Sequence, residues 1–179
     1  MDRRQREWMQ DVLERFEVPL VRYAERITGD LERARDVVQD ALLRLWRRAD
    51  EVDPDRLAQW LYTVCRNRAL DVLRKERRRS SLSPEQAART PDQADDPARA
   101  AERRDLARVA RELLDNLPDR QQEVIRLRLE GRLSYNEIAD ATGLSSSNVG
   151  FLLHVGLKRL REQMRAKGLM PQDGGQTPP

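Results

Sequence analysis

Residues Leu117 to Arg161 read LPDRQQEVIRLRLEGRLSYNEIADATGLSSSNVGFLLHVGLKRLR, and the reading of this stretch decides the fold. Pro118 falls where a first helical turn has no need of an N–H, and Gly131 falls where a helix commonly ends on a left-handed residue. Ser134, Tyr135, Asn136 and Glu137 form a capping-box sequence, in which the serine hydroxyl accepts from the N3 amide and the glutamate reaches back. The short helix this opens carries Ile138 and Ala139 on its inner face. Gly143 supplies a sharp turn, Leu144 plugs the corner, and Ser145 or Ser146 caps a longer helix with Val149, Leu152 and Leu153 facing inward. A small residue at 139 and a glycine four later let two helices cross closely, the requirement of a helix-turn-helix. The second helix of such a pair is the one that enters a DNA groove.

Outward from this block, every periodic segment has the helical period. Val12, Phe16, Leu20, Tyr23 and Ile27 form one stripe, ended by Gly29. Asp30 caps a second helix whose apolar face is Val37, Val38, Ala41, Leu42, Leu45 and Trp46. Asp53 and Pro54 restart the chain as cap and first helical residue, leading to Leu57, Trp60, Leu61, Val64, Ala69, Val72 and Leu73. This third helix runs into Arg74-Lys75-Glu76-Arg77-Arg78-Arg79. From Ser80 to Asp96 the only large apolar residue is Leu82, among prolines and acidic charge, too little to bury for an ordered segment. Helical pattern resumes at Leu106, Val109, Ala110, Leu113 and Leu114. The expected architecture is all-α: two small helical domains joined by a flexible acidic linker, the C-terminal one carrying the helix-turn-helix. The boundaries are 1–79, a linker over 80–96, 97–168, and a disordered tail over 169–179.

Composition narrows the functional classes. Of the 179 residues, 36% are charged and only 4% aromatic, so the core is aliphatic and thin for the length. The net charge of +3 and the pI near 9.4 rest mostly on arginine, whose planar fork binds phosphate and base edges with two bonds at once. A single cysteine, Cys65, excludes a disulfide framework and a cysteine-based zinc site. His154 is the single histidine, with no second ligand at zinc-binding spacing, and there is no glycine-rich phosphate loop. No enzyme, metal or cofactor is therefore expected. The start MDRRQREWMQ lacks the apolar stretch of a signal peptide, no run reaches membrane-spanning length, and a cytoplasmic protein is expected.

Two constellations remain. Asp36, Gln39 and Asp40, at i, i+3 and i+4, share one helix face while aliphatics take the other. A solvated face with Asp36–Arg33 or Asp40–Arg44 pairs is the plain explanation of that pattern. The next helix, Trp60 to Lys75, mixes Trp60, Tyr62, Asn67 and several arginines and then turns basic. Aromatics interleaved with guanidinium groups suit unstacked bases and a single-strand backbone.

With these residues in view, the sequence resembles bacterial sigma factors of the extracytoplasmic-function group. Asp36 to Trp46 resembles the acidic Asp-x-x-Gln-Glu signature, with Asp40 in place of the usual glutamate. Trp60-Leu61, Arg66-Asn67 and Asp71-x-Leu73-Arg74-Lys75 resemble the helix that binds the promoter −10 element. Leu117-Pro118 through Leu160 resembles the −35 domain. The resemblance implies a sigma factor that directs core RNA polymerase to promoters and melts the −10 region.

It also implies the partners and the residues that meet them. Asp36, Gln39, Asp40, Leu43 and Trp46 would dock on the clamp helices of the polymerase's largest subunit, while the second domain meets the flap of the second-largest. The loop from Arg47 to Arg56 and the helix bearing Asn67 would capture a flipped base of the non-template strand. Trp60, Tyr62, Arg66, Asn67, Arg74, Lys75, Arg77 and Arg78 would bind the −10 DNA. Arg132, Ser145, Ser146, Ser147, Asn148 and Lys158 would meet the −35 DNA. An anti-sigma factor is a further implied partner.

The recognition helix departs from the family pattern. From Asn148 to Leu157 it has no lysine or arginine, where the family usually has several basic residues. Base reading then falls to Ser146, Ser147 and Asn148, with Arg132 and Lys158 left for phosphates. Phe151 and Val155 would either pack against the helix at Leu106 to Leu114 or form a face for another protein. Two competing classes follow: a free-standing helix-turn-helix regulator with an N-terminal sensing or dimerising module, and a protein-interaction module without DNA binding.

Overall fold

The computed structural model describes residues 3–79 and 108–170, excepting the side chains of residues 77–79. The expected linker, Leu106, the side chains of Arg77 and Arg78 and nearly all of the expected tail lie outside the described residues. Every regular element among the described residues is helical: α1 (Arg3–Thr28), α2 (Leu31–Arg47), a 3₁₀ turn (Pro54–Arg56), α3 (Leu57–Arg79), α4 over residues 108–115, α5 (Asp119–Leu129), α6 (Tyr135–Thr142) and α7 (Ser146–Ala166). None of these helices is long and apolar enough to cross a membrane.

The described residues divide into two compact units that interleave along the sequence: 3–79 with 126–146, and 108–125 with 147–170. In the first, α1, α2 and α3 pack on one another and α6 packs on α3. Their apolar stripes meet in a core of Val12, Phe16, Leu20 and Tyr23 from α1, Val37, Val38, Ala41 and Leu45 from α2, and Leu57, Leu61, Cys65 and Ala69 from α3. Tyr62 is also buried here, edge-on to Tyr23 with ring centroids 5.2 Å apart. In the second unit Leu113, Leu114, Leu117, Val124, Ile125, Val149 and Leu153 are buried. Gly156 is a packing glycine there, since a Cβ would lie 2.8 Å from Ile125 Cδ1 and 3.2 Å from Gln121 Cβ.

The helix ends follow local chemistry. Asp30 caps α2 by accepting from the Arg33 amide at 2.8 Å, after Gly29 has turned the chain at φ +73°. Asp53 accepts from the Asp55 amide at 3.0 Å, so the expected restart at Asp53-Pro54 first makes a 3₁₀ turn, and α3 begins at Leu57. Pro118 stands just before α5, its carbonyl accepting from the Gln121 and Gln122 amides at 2.8 and 3.0 Å. The Gln122 side chain returns to the carbonyls of Asp115 and Leu117, tying the α4–α5 junction.

Within the helix-turn-helix segment the capping box forms as the sequence predicts. Ser134 N–H donates to Glu137 Oε2 at 2.7 Å and the Glu137 amide donates to Ser134 Oγ at 3.3 Å. Gly143 ends α6 at φ +74°, its amide donating to the Ala139 carbonyl. Gly131 differs from expectation: the left-handed residue after α5 is Arg132, at φ 55°. A Cβ on Gly131 would instead sit 2.8 Å from the Leu127 carbonyl oxygen and 3.0 Å from Tyr62 Cε2, so its smallness serves packing. The inner face of α6 is Ile138, Ala141 and Thr142, with Ala139 half-buried rather than central.

The Ser134 hydroxyl, followed by its backbone, holds the Glu137 carboxyl below the ordinary glutamate range. A depressed folded-state value means that this contribution is complete above the ordinary glutamate pKa and is lost as pH falls through the lowered one. Ser134→Ala should destabilise the protein by about 1 kcal/mol. Urea unfolding at pH 7 checks this, and the difference from the native chain should shrink at acid pH.

Candidate polymerase and nucleic-acid interfaces

The outward face of α2 is set by the helical period. With Val37, Val38, Ala41 and Leu45 turned into the core, Asp36, Gln39, Leu43 and Trp46 are left exposed. Leu43 is 56% exposed, unusual for a leucine inside a regular helix. Arg33 pairs with Glu76 at 2.7 Å and Arg35 with Glu32 at 2.8 Å, so neither neutralises Asp36, which has no ion-pair partner among the described residues. The structure thus brings four of the five expected docking residues onto one unpartnered face, partly acidic and partly apolar.

Asp40 sits apart from these four. It is half-buried, with Oδ2 2.9 Å from Arg44 Nη2 and 3.2 Å from Arg68 Nε. Both guanidiniums lie within ion-pair range, yet neither is aligned as a hydrogen bond to that oxygen. Its charge links α2 to α3 inside the bundle and helps push the Cys65 thiol, already raised by burial, to about 12. The offset of one residue from Gln39 rotates Asp40 by 100° toward α3, which the spacing alone did not reveal.

On α3, Trp60, Thr63 and Asn67 stand at i, i+3 and i+7 and so share a face. Beside the first two opens a pocket of about 380 Å³, lined by Glu51, Val52, Asp53, Arg56, Gln59, Trp60 and Thr63. It is built by the irregular chain after α2 and the 3₁₀ turn, which brings acidic, amide and guanidinium groups up against an indole. Thr63 turns its hydroxyl back to the Gln59 carbonyl at 2.7 Å, leaving its methyl for the pocket. That Gln59 and Thr63 line this pocket was not read from the sequence. The i, i+3, i+7 spacing from Trp60 was the signal available.

Asn67 is exposed, outside the pocket lining, and its side chain makes no hydrogen bond among the described residues. Arg66 is half-buried and Lys75 exposed, while Arg74 pairs with Asp71 at 3.1 Å. Tyr62 is a correction to the sequence reading. It was expected to present its ring to nucleic acid, but at 1% exposure it belongs to the core. Burial, then the charge of Glu130, push its phenol well above the ordinary tyrosine value. Two positions from Trp60 is a 200° rotation, and that places Tyr62 opposite the pocket face.

On α7, Ser147, Asn148, Phe151, His154 and Lys158 are all exposed, and their spacing makes one stripe. Ser146 is the first helical residue and is half-buried, which leaves exposed Ser145 at the N-cap position. Arg132 is exposed on the turn after α5. Phe151 is 64% exposed, so it does not pack on a neighbouring helix; the apolar part of the stripe faces outward. Among the described residues no group of three His, Cys, Asp or Glu side chains could hold a metal ion.

A three-helix bundle with an exposed acidic-apolar face and an aromatic pocket, followed by a helix-turn-helix, is the arrangement of the two promoter-binding segments of a sigma-70-type protein. Residues 12–79 match the Sigma-70 region 2 family and residues 107–160 match Sigma-70, region 4. The chain is 35% identical over 153 residues to the ECF RNA polymerase sigma factor SigL of Mycobacterium tuberculosis, covering 84% of this chain and 85% of that protein. It is 34% identical over 134 residues to the ECF RNA polymerase sigma factor RpoE of Cereibacter sphaeroides, covering 73% and 72% respectively. Among solved structures it is similar to the sigma factor RpoE of Bartonella quintana, crystallised with the anti-sigma factor NepR, at a TM-score of 0.66 and 23% identity over 89% of this chain and 97% of that one. CnrH, solved with the cytosolic domain of CnrY, gives a TM-score of 0.56 at 26% identity, covering 90% of both chains. The chain belongs to the extracytoplasmic-function group of RNA polymerase sigma factors. It is a promoter-directing sigma factor, and the free-standing regulator is not favoured.

Proposed function

We propose that this sigma factor docks on the clamp helices of core RNA polymerase through Asp36, Gln39, Leu43 and Trp46, and melts the promoter by capturing an extruded base beside Trp60. The observation that carries this reading is the pairing, on one small bundle, of an unpartnered α2 face with an open aromatic pocket one helix away. Flipping a base costs a few kcal/mol of stacking, and contact with the indole face and with the Arg56 and Gln59 side chains would recover it. No bond is made or broken, so the role is that of a non-enzymatic initiation factor acting in the cytoplasm. Asn67, Arg66 and Lys75 continue the same helix along the strand. The exposed stripe of α7 supplies the −35 contacts, with Ser147 and Asn148 at base edges and Lys158 and Arg132 at phosphates. The flap of the polymerase's second-largest subunit is the proposed partner of this second domain. A regulatory partner of the anti-sigma kind is part of the proposal, supported by solved relatives that were crystallised with protein partners. The proposed domain limits remain 1–79 and 97–168, bracketing both family matches.

Core polymerase reconstituted with the chain on genomic DNA tests the proposal. Mapped RNA 5′ ends should cluster at sites absent with core alone. The isolated chain should bind duplex DNA weakly with a shallow salt dependence, because each phosphate contact adds only about 0.9 to the log–log slope and α7 offers few cations. Unchanged start sites, or a steep slope without polymerase, would return the chain to the regulator class.

A further inference from the structure

The inner face of α7 is fixed by Val149, Leu153 and Gly156, all buried, the last so tightly that a Cβ there would meet Ile125 Cδ1 at 2.8 Å. Phe151 stands two positions from both Val149 and Leu153, about 200° around the helix, and therefore projects from the opposite side, 64% exposed. Asn148 lies about one turn before it, His154 about one turn after it and Lys158 two turns after it, all exposed, while Val155 is half-buried. From Asn148 to Leu157 there is no lysine or arginine. The middle of the stripe is thus a single phenyl ring with polar side chains on either hand. An apolar patch of one ring is too small for a stable protein interface, which buries on the order of 1,000 Å² or more. It matches in size the one apolar group that a base pair presents in the major groove, the C5 methyl of thymine.

We infer that Phe151 is a specificity-determining residue for the upstream promoter element, where it reads a thymine by its methyl group. The inference rests on the reading of the α7 stripe as the −35 contact. A phenyl ring has no hydrogen-bonding atom. Laid on a G·C pair, it would cover the guanine O6 and N7 and the cytosine amino group without replacing the water they bind, and such pairs are disfavoured. Laid on thymine, it removes two apolar groups from water at once. The contact is uncharged, so its contribution persists at high salt, where the phosphate contact of Lys158 is screened. A recognition helix poor in cations thereby gains sequence preference from apolar contact in place of guanidinium forks.

The test uses holoenzyme, core polymerase with the full chain, on duplexes carrying the strongest promoter mapped with that holoenzyme. Each thymine of the upstream element is replaced in turn by deoxyuridine, which removes the C5 methyl and nothing else, and the dissociation constant is measured. One replacement should weaken the native holoenzyme about fourfold, equally at low and high salt, and leave the Phe151→Ala holoenzyme unchanged. Cytosine at that position should weaken the native holoenzyme about tenfold. 5-Methylcytosine, with a methyl on the same carbon, should recover part of that loss only when Phe151 is present. Phe151→Leu, which keeps an apolar tip, should retain part of the discrimination. If every deoxyuridine costs both holoenzymes the same, or costs neither, while other base changes in the element still weaken binding, the inference alone falls. An upstream element without thymine on either strand overturns it as well. If no change in the upstream element alters binding, the −35 reading of α7 fails and takes the inference with it. A Phe151→Ala chain that loses affinity for core polymerase itself would assign the ring to a protein contact and overturn methyl reading.

Discussion

Asp36→Arg combined with Gln39→Ala is expected to lower the affinity for core polymerase by two orders of magnitude or more. Both side chains are exposed, and neither makes a hydrogen bond or ion pair among the described residues, since Arg33 and Arg35 turn to Glu76 and Glu32. A hydrogen bond to a charged group contributes roughly 1.5–3 kcal/mol, and each 1.4 kcal/mol is tenfold in binding, so two such losses suffice. The substituted arginine adds a repulsive charge wherever the partner surface is basic. Because neither residue supports the fold, the unfolding temperature should stay within a degree or two of the native value. Titration of labelled core polymerase checks the prediction, and binding at native strength would remove α2 from the interface. Asp40→Ala serves as the contrasting variant. It strands Arg44 and Arg68 beside a half-buried position, so its principal effect should be a loss of stability.

Trp60→Ala is expected to reduce promoter opening by roughly one to two orders of magnitude, from the loss of about 1–3 kcal/mol of base stacking. Core binding should persist, because Trp60 lines the pocket on α3 and is not part of the exposed α2 face. Trp60→Phe keeps an aromatic face and should recover most of the rate. Permanganate footprinting of the open complex measures the effect, and a template with a pre-melted −10 bubble should rescue the part due to melting. An alanine variant that opens linear duplex at the native rate would exclude stacking on Trp60. Asn67→Ala should have a smaller effect, since the amide stands one turn beyond the pocket lining and lacks the indole's stacking surface.

The helical class, the caps at Asp30 and Ser134 and the turn at Gly143 were legible because each is governed by contacts within a few residues. A side-chain oxygen meets an amide three positions on, or φ turns positive where no Cβ resists it. The core stripes of α1 and α2 were legible for a similar reason, since a helix of known period with one apolar face has one way to bury it. Gly131 was misread because two different demands select glycine. A left-handed φ is local, whereas the close approach of Tyr62 comes from a helix nearly seventy positions away in the chain.

The sequence by itself determined the all-helical fold, the family signature and the residue types of both proposed interfaces. Periodicity and capping are short-range physics, and motif order survives in the chain itself. Only the tertiary structure decided which members of each cluster face outward. Rotation about the helix carries Tyr62, two positions from Trp60, into the core against Tyr23, and sets Asp40, one position from Gln39, at the half-buried seam with Arg68. The pocket was likewise a tertiary decision, because its walls come from the irregular turn at 51–56 folded back on α3. So was the hydrogen bond from Gln59 to Asp140, a contact spanning 81 positions that no local pattern encodes.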